Sequence, residues 1–299
     1  MLRDNPLKIG ILSSDSEEWH VLRLSKELKK RGNEVYIFPV TKLVSKIALV
    51  PSISIRGYAV EDYDAVIVRR VPGGSVEQVF YRMDVLHVLE EYGVKVFNPP
   101  LSIEKSVNKH YTSALLEKHG LKSPKTIVAE SFRDAMKGFK ELKEDVIVKP
   151  LFGSLGSGMI RVTDQDIAYR VFRALESINS VFYLQEYIPH KNTDMRIFVV
   201  GGSAISAMKR VGESWKTNIS SGGKPIPYEP SEEETRISIK AAEIFNLEYT
   251  GVDLLQSEVG ELYVLEVNST PGWEGLQKVT EKNISNEIIE HILSKLKKS

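Results

Sequence analysis

Three side chains with oxygen atoms lie close together in one predicted hairpin. Asp253 lies in the first strand, and Glu266 and Asn268 lie in the second, beyond the polar turn 256–260. Because side chains alternate across a strand, Glu266 and Asn268 share a face, and both registers that the turn allows put Asp253 on it too. Two carboxylates and an amide oxygen are ligands that Mg²⁺ accepts. The hairpin predicts a divalent-cation site, although two solvent-facing acids on an amphipathic sheet would give the same pattern.

A glycine-rich segment follows a short apolar strand that ends at Lys149. Residues 149–158 contain three glycines and two serines, which let backbone N–H groups approach phosphate oxygens. The segment is not a P-loop, because no Lys-Ser/Thr pair follows the last glycine, and its spacing is not that of the dinucleotide fingerprint. We interpret it as a flap over a phosphate that Lys149 neutralises. A plain hairpin turn, with Lys149 extending to solvent, fits the same residues.

Two further segments offer polar groups to a ligand. Residues 184–189 join the second and third parts of the chain, and such a linker exposes backbone that adenine could bind. Asp194 and Arg196 follow at alternate positions and so share a face. Arg210 and the loop 212–223 then supply cationic and amide groups. The loop is either an anion-binding site or an ordinary solvated loop.

Composition excludes several classes of protein. The 299 residues include 40 Lys+Arg and 40 Asp+Glu, and this balance argues against a dedicated nucleic-acid binder. The absence of cysteine excludes disulfides, thiolate zinc sites, iron–sulfur clusters and cysteine nucleophiles. The sequence has neither a secretory signal nor an apolar run near the ~18 residues that span a bilayer. We therefore expect a cytoplasmic protein with no nucleic-acid or membrane partner.

The elements that position these residues form three predicted segments of a mixed α/β (α+β) protein. In residues 1–100, strands alternate with helices, which predicts a parallel sheet built from βαβ units. Asn98-Pro99-Pro100 interrupts the pattern and marks a boundary. Residues 101–186 hold the glycine-rich segment between strands, and residues 187–299 hold the polar loop, the hairpin and a C-terminal helix.

In this order, the motifs resemble the ATP-grasp superfamily, and within it the RimK-type α-L-glutamate ligases. The resemblance covers essentially the whole chain. It implies an ATP-grasp fold with an N-terminal Rossmann-like pre-ATP-grasp domain (1–100), a central subdomain with the flap (101–186) and a C-terminal subdomain with the metal site (187–299). The motifs that carry it are Val148-Lys149-Pro150 with Gly153–Gly158, Gln185-Glu186-Tyr187-Ile188, Asp194-Met195-Arg196, Gly251-Val252-Asp253, and the run from Glu266 to Gly275, which is similar to the Glu-Val-Asn-x-x-Pro-Gly-x-x-Gly form of the glutamate ligases.

The resemblance implies that the cofactors are ATP and two Mg²⁺ (or Mn²⁺) ions, and it implies a role for each matching residue. Phosphate contacts fall to Lys109, Lys149 and the flap residues Gly153, Ser154, Gly156, Ser157 and Gly158. The adenine site comprises Gln185, Glu186, Tyr187 and Ile188, with Asp194 near the ribose and Lys216, Thr217 and Asn218 as further nucleotide contacts. The metal ligands are Asp253, Glu266 and Asn268, and the catalytic residues facing the acyl phosphate or the amino-acid carboxylates are Arg196 and Arg210.

The activity that the resemblance implies is ATP-dependent ligation of L-glutamate to a carboxylate of a protein C-terminus or a coenzyme, through an acyl phosphate. Lys216-Thr217-Asn218 differs from the Arg-Ser-Asn of the ribosomal-protein enzyme, which leaves the acceptor open. The alternatives are a ligase of amino-acid biosynthesis that acts on a carrier protein, a non-catalytic nucleotide-binding regulator, and an ATP-grasp kinase. We also expect a homo-oligomer.

Overall fold

The computed structural model describes residues 6–153 and 158–297. Its first part is built on a four-stranded parallel sheet in the order β2-β1-β6-β7, as the alternation of strands and helices predicts. A small three-stranded sheet, β3-β4-β5, was not predicted, because its strands are only two or three residues long. The elements are β1 (Lys8–Leu12), α1 (Trp19–Lys30), β2 (Glu34–Phe38), β3 (Val44–Ser45), β4 (Ile53–Ile55), β5 (Tyr58–Ala59), β6 (Ala65–Val68), α2 (Val76–Glu91) and β7 (Lys95–Phe97).

The second part is an antiparallel sheet in the order β10-β9-β11-β8, with two helices, α5 and α6, packed on one face. Its first helix, α3, was missed, because it follows directly on the Asn98-Pro99-Pro100 interruption. Pro100 occupies the first helical position, where a missing N–H has no cost. The elements are α3 (Pro100–Val107), α4 (Lys109–Lys118), β8 (Thr126–Ala129), α5 (Phe132–Glu141), β9 (Val146–Lys149), β10 (Ile160–Val162), α6 (Gln165–Ser177) and β11 (Phe182–Glu186).

The third part is an antiparallel sheet in the order β14-β13-β12-β15-β16. The edge strand β14 was missed because it contains two prolines, which are tolerated only at a sheet edge. A capping box at Ser231, with Glu234 as its partner, begins the helix that follows. The elements are β12 (Thr193–Val200), β13 (Ser203–Val211), β14 (Lys224–Pro227), α7 (Glu232–Ile244), β15 (Tyr249–Gln256), β16 (Leu262–Asn268), α8 (Glu274–Gln277) and α9 (Ile284–Lys297).

The first and third parts share a hydrophobic core. Ile9 and Leu24 from the parallel sheet and α1 belong to one buried cluster with Phe198, Tyr249 and Trp273. Helix α9 packs against α1 at the same interface. The hairpin with the predicted metal ligands is therefore fixed against the N-terminal sheet rather than hinged to it.

Asn98 lies at the junction of these two parts and is fully buried. Its amide nitrogen donates to the carbonyls of Tyr249 (2.8 Å) and Ser269 (2.6 Å), and its oxygen accepts from the N–H of Glu248 (2.7 Å). The residue at the predicted boundary thus bonds to both ends of the β15–β16 hairpin.

No helix among the described residues is long and apolar enough to cross a bilayer.

Candidate active site

Most of the predicted site residues converge on one open cleft between the antiparallel sheets of the second and third parts. Gly158, Arg196 and Asn268 do not line this cleft but adjoin residues that do, whereas Ser154, Gly156 and Ser157 lie outside the described residues. The predicted residues that line it are Lys109, Lys149, Gly153, Gln185, Glu186, Tyr187, Ile188, Asp194, Arg210, Lys216, Thr217, Asn218, Asp253 and Glu266.

The hairpin places the three predicted metal ligands together. Asp253 lies directly opposite Glu266, in one of the two registers that the turn allows, and a bulge follows at Leu254. Turned so that its nitrogen faces Glu266, the amide of Asn268 donates to Glu266 Oε1 over 3.3 Å. Asp253 is only 2 % exposed, so the alternative of two solvent-facing acids is wrong for this carboxylate.

Two arginines neutralise the buried carboxylate of Asp253. Arg196 binds it through Nε–Oδ1 (2.6 Å) and Nη2–Oδ2 (2.7 Å), and Arg210 Nη2 lies 2.9 Å from Oδ2. Burial alone would raise the pKa of Asp253, but the two guanidinium groups outweigh it and lower the pKa below its ordinary value. Asp253 therefore stays ionised although it is buried.

Asp194 is also held by groups of the chain itself. Arg210 donates to both of its oxygens over 2.6 Å, and Thr217 Oγ1 donates to Oδ2 over 2.5 Å. Asp194 is 3 % exposed. In this arrangement the carboxylate predicted to lie near the ribose ties the polar loop, through Thr217, to strands β12 and β13. Positive and negative side chains therefore alternate along one connected series, in the order Arg196, Asp253, Arg210 and Asp194.

Lysines from three different elements meet around the glycine-rich segment. Lys149, at the end of β9, donates to Gln185 Oε1 over 2.5 Å. Lys109, the first residue of α4, donates to the carbonyl of Gly153, and Lys216, in the polar loop, donates to the carbonyl of Met159, both over 2.9 Å. The ammonium groups therefore converge where the predicted phosphate contacts lie.

The environment of two of these lysines shifts their titration. Burial lowers the pKa of Lys149 to about 8, opposed by the Glu266 carboxylate and assisted by the nearby Lys109 charge. Burial also lowers the pKa of Lys109, against the same carboxylate. Glu266 thus lies in the field of both lysines at the metal end of the cleft.

The linker after β11 is fixed on both sides. The N–H of Glu186 donates to Lys125 O over 2.8 Å, and that of Tyr187 donates to Asp145 O over 3.0 Å. The Arg161 guanidinium carbon lies 3.4 Å from the centroid of the Tyr187 ring, and Arg161 also binds the Asp145 carboxylate through two bonds of 2.8 and 2.7 Å. Because both N–H groups already donate to carbonyl groups of the protein, a ligand would have to bind other groups of the linker.

Sequence reasoning missed the apolar and aromatic residues that line the cleft. They come from strands and loops where a hydrophobic residue is normally part of the core, so no sequence signal distinguishes them. They form the kind of largely apolar wall, with a few polar groups, that a flat ring such as adenine needs. These residues are Ile147, Met159, Trp215, Leu255 and Leu265, and His190 lies beside them.

Family models match nearly the whole chain. A model described as the RimK-like ATP-grasp domain matches residues 106–292, and one described as the RimK PreATP-grasp domain matches residues 7–103. This chain belongs to the RimK family of ATP-grasp ligases. The ATP-grasp fold with its pre-ATP-grasp domain is thereby confirmed, and the chain is an ATP-dependent ligase.

Relatives of this RimK-family chain are similar over their full length. It is 35 % identical over 293 residues to the tetrahydromethanopterin:α-L-glutamate ligase of Methanococcus maripaludis, covering 96 % of this chain and 98 % of the relative. It is 31 % identical over 297 residues to a probable α-L-glutamate ligase of Trichodesmium erythraeum, covering 98 % of each. Its fold matches the ATP-grasp ligase PsnB, solved with minimal precursor, Mg and ADP, with a TM-score of 0.75 at 21 % identity over 98 % of this chain and 99 % of that one.

Proposed function

We propose that this RimK-family ligase joins L-glutamate to a carboxylate of an acceptor, which is a coenzyme acid or a protein C-terminus, and cleaves ATP to ADP and phosphate. The observation that carries the proposal is the convergence of Lys109 and Lys149 with Asp253 and Glu266 in one cleft. The relative named as a tetrahydromethanopterin:α-L-glutamate ligase favours the coenzyme acid. The proposed division into 1–100, 101–186 and 187–299 is supported by the three main sheets, β2-β1-β6-β7, β10-β9-β11-β8 and β14-β13-β12-β15-β16, of which each lies in one part.

The proposed chemistry has two steps and needs no nucleophile from the protein. An oxygen of the acceptor carboxylate attacks the γ-phosphorus of ATP, and ADP leaves with the electron pair of the broken P–O bond. The amine of glutamate then attacks the acyl carbon, phosphate leaves, and the nitrogen loses a proton to give the amide. The absence of cysteine from the chain agrees with such a route.

The donor set of the hairpin fits divalent cations. Asp253 is held ionised, Glu266 lies directly opposite it, and Asn268 adds an amide beside them. The described residues hold no cluster of three or more acidic or histidine side chains, so phosphate oxygens and water would complete the coordination, as is usual for Mg²⁺. We propose that these residues hold two Mg²⁺ or Mn²⁺ ions, which would offset negative charge on the transferring phosphoryl group.

The cationic side chains divide into two roles. Lys109 and Lys149 would hold phosphate oxygens as point charges. The side chain of Arg196 is 14 % exposed and that of Arg210 only 3 %. Arg196 adjoins the cleft through its bonds to Asp253, and we assign to this more exposed arginine the contact with the acyl phosphate or with a substrate carboxylate. Arg210, which binds Asp194 and Asp253, would keep that pair of carboxylates in place.

The experiment that tests this function uses isotopically labelled glutamate. The full chain is incubated with ATP, Mg²⁺, labelled glutamate and cell extract, or with purified coenzyme acids, and the products are followed by mass spectrometry and ADP release. We expect a labelled amide product and equimolar ADP, both absent with Glu266→Gln. ADP release with a phosphorylated alcohol and no amide would favour a kinase. No ADP with any acid would overturn the proposal.

A further inference from the structure

The cleft-facing side of the sheet β10-β9-β11-β8 carries a connected set of polar side chains. On β11, Phe182 and Leu184 belong to the core under α5 and α6, so the alternating residues Tyr183 and Gln185 project from the other face. Tyr183 is paired with Lys149 of the neighbouring strand β9, and Gln185 is paired with the β9 residue two positions before Lys149. Gln185 and Lys149 are therefore diagonal neighbours on one face.

The orientation of the Gln185 amide is fixed by its partners. Its oxygen accepts from Lys149 Nζ, and its nitrogen donates to Thr126 Oγ1 over 3.1 Å and to Tyr183 Oη over 3.3 Å. The hydroxyl of Thr126 already donates to Pro124 O over 2.8 Å, so its oxygen can only accept from Gln185. The amide nitrogen must face Thr126, and the amide oxygen must face Lys149.

The set extends to helix α4 and is shielded from solvent. Tyr183 Oη lies 2.9 Å from Ser113 Oγ, and Ser113 belongs to the helix that begins at Lys109. Gln185 is 3 % exposed and Tyr183 2 %. A side chain held by two strands and a helix provides a rigid acceptor for the lysine ammonium.

This acceptor is neutral. Within the described residues, Lys149 forms no salt bridge, and its hydrogen-bond acceptor is the amide of Gln185. Burial already favours loss of its proton and lowers its pKa to about 8. A carboxylate at position 185 would neutralise the ammonium group, whereas an amide orients it and leaves its charge available to an anion.

We propose that Gln185 is a positioning residue, which aims the ammonium group of Lys149 at the nucleotide phosphates without neutralising it. This inference rests on the proposed phosphate contact of Lys149. It replaces the adenine contact that the resemblance implies for Gln185 with a role exerted through another side chain. The ligand whose phosphate groups the Lys149 ammonium group contacts would be a nucleoside diphosphate or triphosphate.

A double-mutant cycle on the full chain tests the proposal. Binding of Mg·ADP is measured by calorimetry for the wild type, Gln185→Met, Lys149→Met and the double variant, with urea unfolding to confirm that each is folded. We expect Gln185→Met to weaken binding about tenfold, the size of one hydrogen bond to a charged group. In the Lys149→Met background the same change should have no effect, because the group it positions is gone.

The outcomes separate this inference from the proposed function. If the wild type does not bind Mg·ADP, the proposed function fails. If it binds and Gln185→Met costs the same in both backgrounds, Gln185 contacts the nucleotide itself and the inference is overturned. If Gln185→Met does not fold, Gln185→Glu keeps the shape and pairs with Lys149. The decline of Mg·ADP affinity at alkaline pH should then move to higher pH, and an unmoved decline would overturn the inference.

Discussion

Arg196 and Asp253 face each other on the adjacent strands β12 and β15 and are joined by two hydrogen bonds of 2.6 and 2.7 Å. The arginine that we propose to bind substrate is thus hydrogen-bonded directly to a proposed metal ligand. Any cation bound at Asp253 must therefore bind a carboxylate whose oxygens also contact Arg196 and Arg210. Substitution of Asp253 therefore disturbs both the buried ion pairs and the proposed metal site. Substitution of Glu266 disturbs the proposed metal site without breaking a salt bridge between described residues.

We predict that Asp253→Asn lowers the free energy of unfolding by about 3 kcal/mol, because removal of one partner of a buried ion pair leaves the other charge uncompensated. Arg196 would lose its carboxylate partner, and Arg210 would keep only Asp194. Urea unfolding followed by circular dichroism measures the loss. The matched control is Asp166→Asn, which breaks an exposed pair with Arg170 and should leave the midpoint unchanged. Equal midpoints for Asp253→Asn and the wild type would contradict the buried pairing.

We predict that Glu266→Gln removes activity without unfolding the protein. Glu266 is half-buried and forms no salt bridge with a described residue, so the isosteric amide breaks no buried ion pair and removes only the longer-range charge that acts on Lys149 and Lys109. Loss of one proposed metal ligand should reduce ADP release at least ~100-fold, since a bound cation supplies several kcal/mol to phosphoryl transfer. ADP release at saturating ATP and Mg²⁺ measures the effect, and urea unfolding provides the control. Turnover near that of the wild type would remove Glu266 from the metal site.

The face shared by Asp253 and Glu266 was predictable because it depends on local geometry. A strand has a side-chain period of two, and a short turn leaves few registers, so the sequence alone restricts the outcome. The contact of Arg196 with Asp253 was not predictable in this way. The two residues are 57 positions apart, and their contact requires β12 to lie between β13 and β15. No local pattern states which strands of a sheet are neighbours.

The segment Asn98-Pro99-Pro100 illustrates a different limit. Its residues are typical of a linker and predict a boundary there. The sequence pattern carries no sign that Asn98 is fully buried. Its burial depends on backbone groups of residues 248–269, which come from a distant part of the chain.

We predict that nucleotide affinity falls as the pH rises through about 8. The ammonium form of Lys149 would bind phosphate, and burial lowers its pKa to about 8, so this form is lost at a lower pH than for an exposed lysine. Above that pH, affinity should fall by up to about tenfold per pH unit, the limit for one coupled proton. Calorimetry with Mg·ADP across the alkaline range measures the profile.

Lys149→Arg is the matched variant for this pH dependence. A guanidinium group keeps its proton throughout the range, so the alkaline decline should disappear even if the affinity itself is lower. The pKa of Lys109 is also lowered by burial, and Lys109→Arg serves as the control that should retain the decline. A decline that persists in Lys149→Arg and vanishes in Lys109→Arg would assign the titrating group to Lys109.

We predict that Asn98→Ala lowers the free energy of unfolding by about 3 kcal/mol or more, because each buried backbone group left without a partner costs about 1–3 kcal/mol. The alanine would remove partners from the carbonyls of Tyr249 and Ser269 and from the N–H of Glu248. Asn33→Ala is the control. It removes a single bond to Leu28 O from a half-buried position and should cost about 1 kcal/mol. Similar urea midpoints for the two variants would mean that Asn98 does not hold the hairpin against the N-terminal sheet.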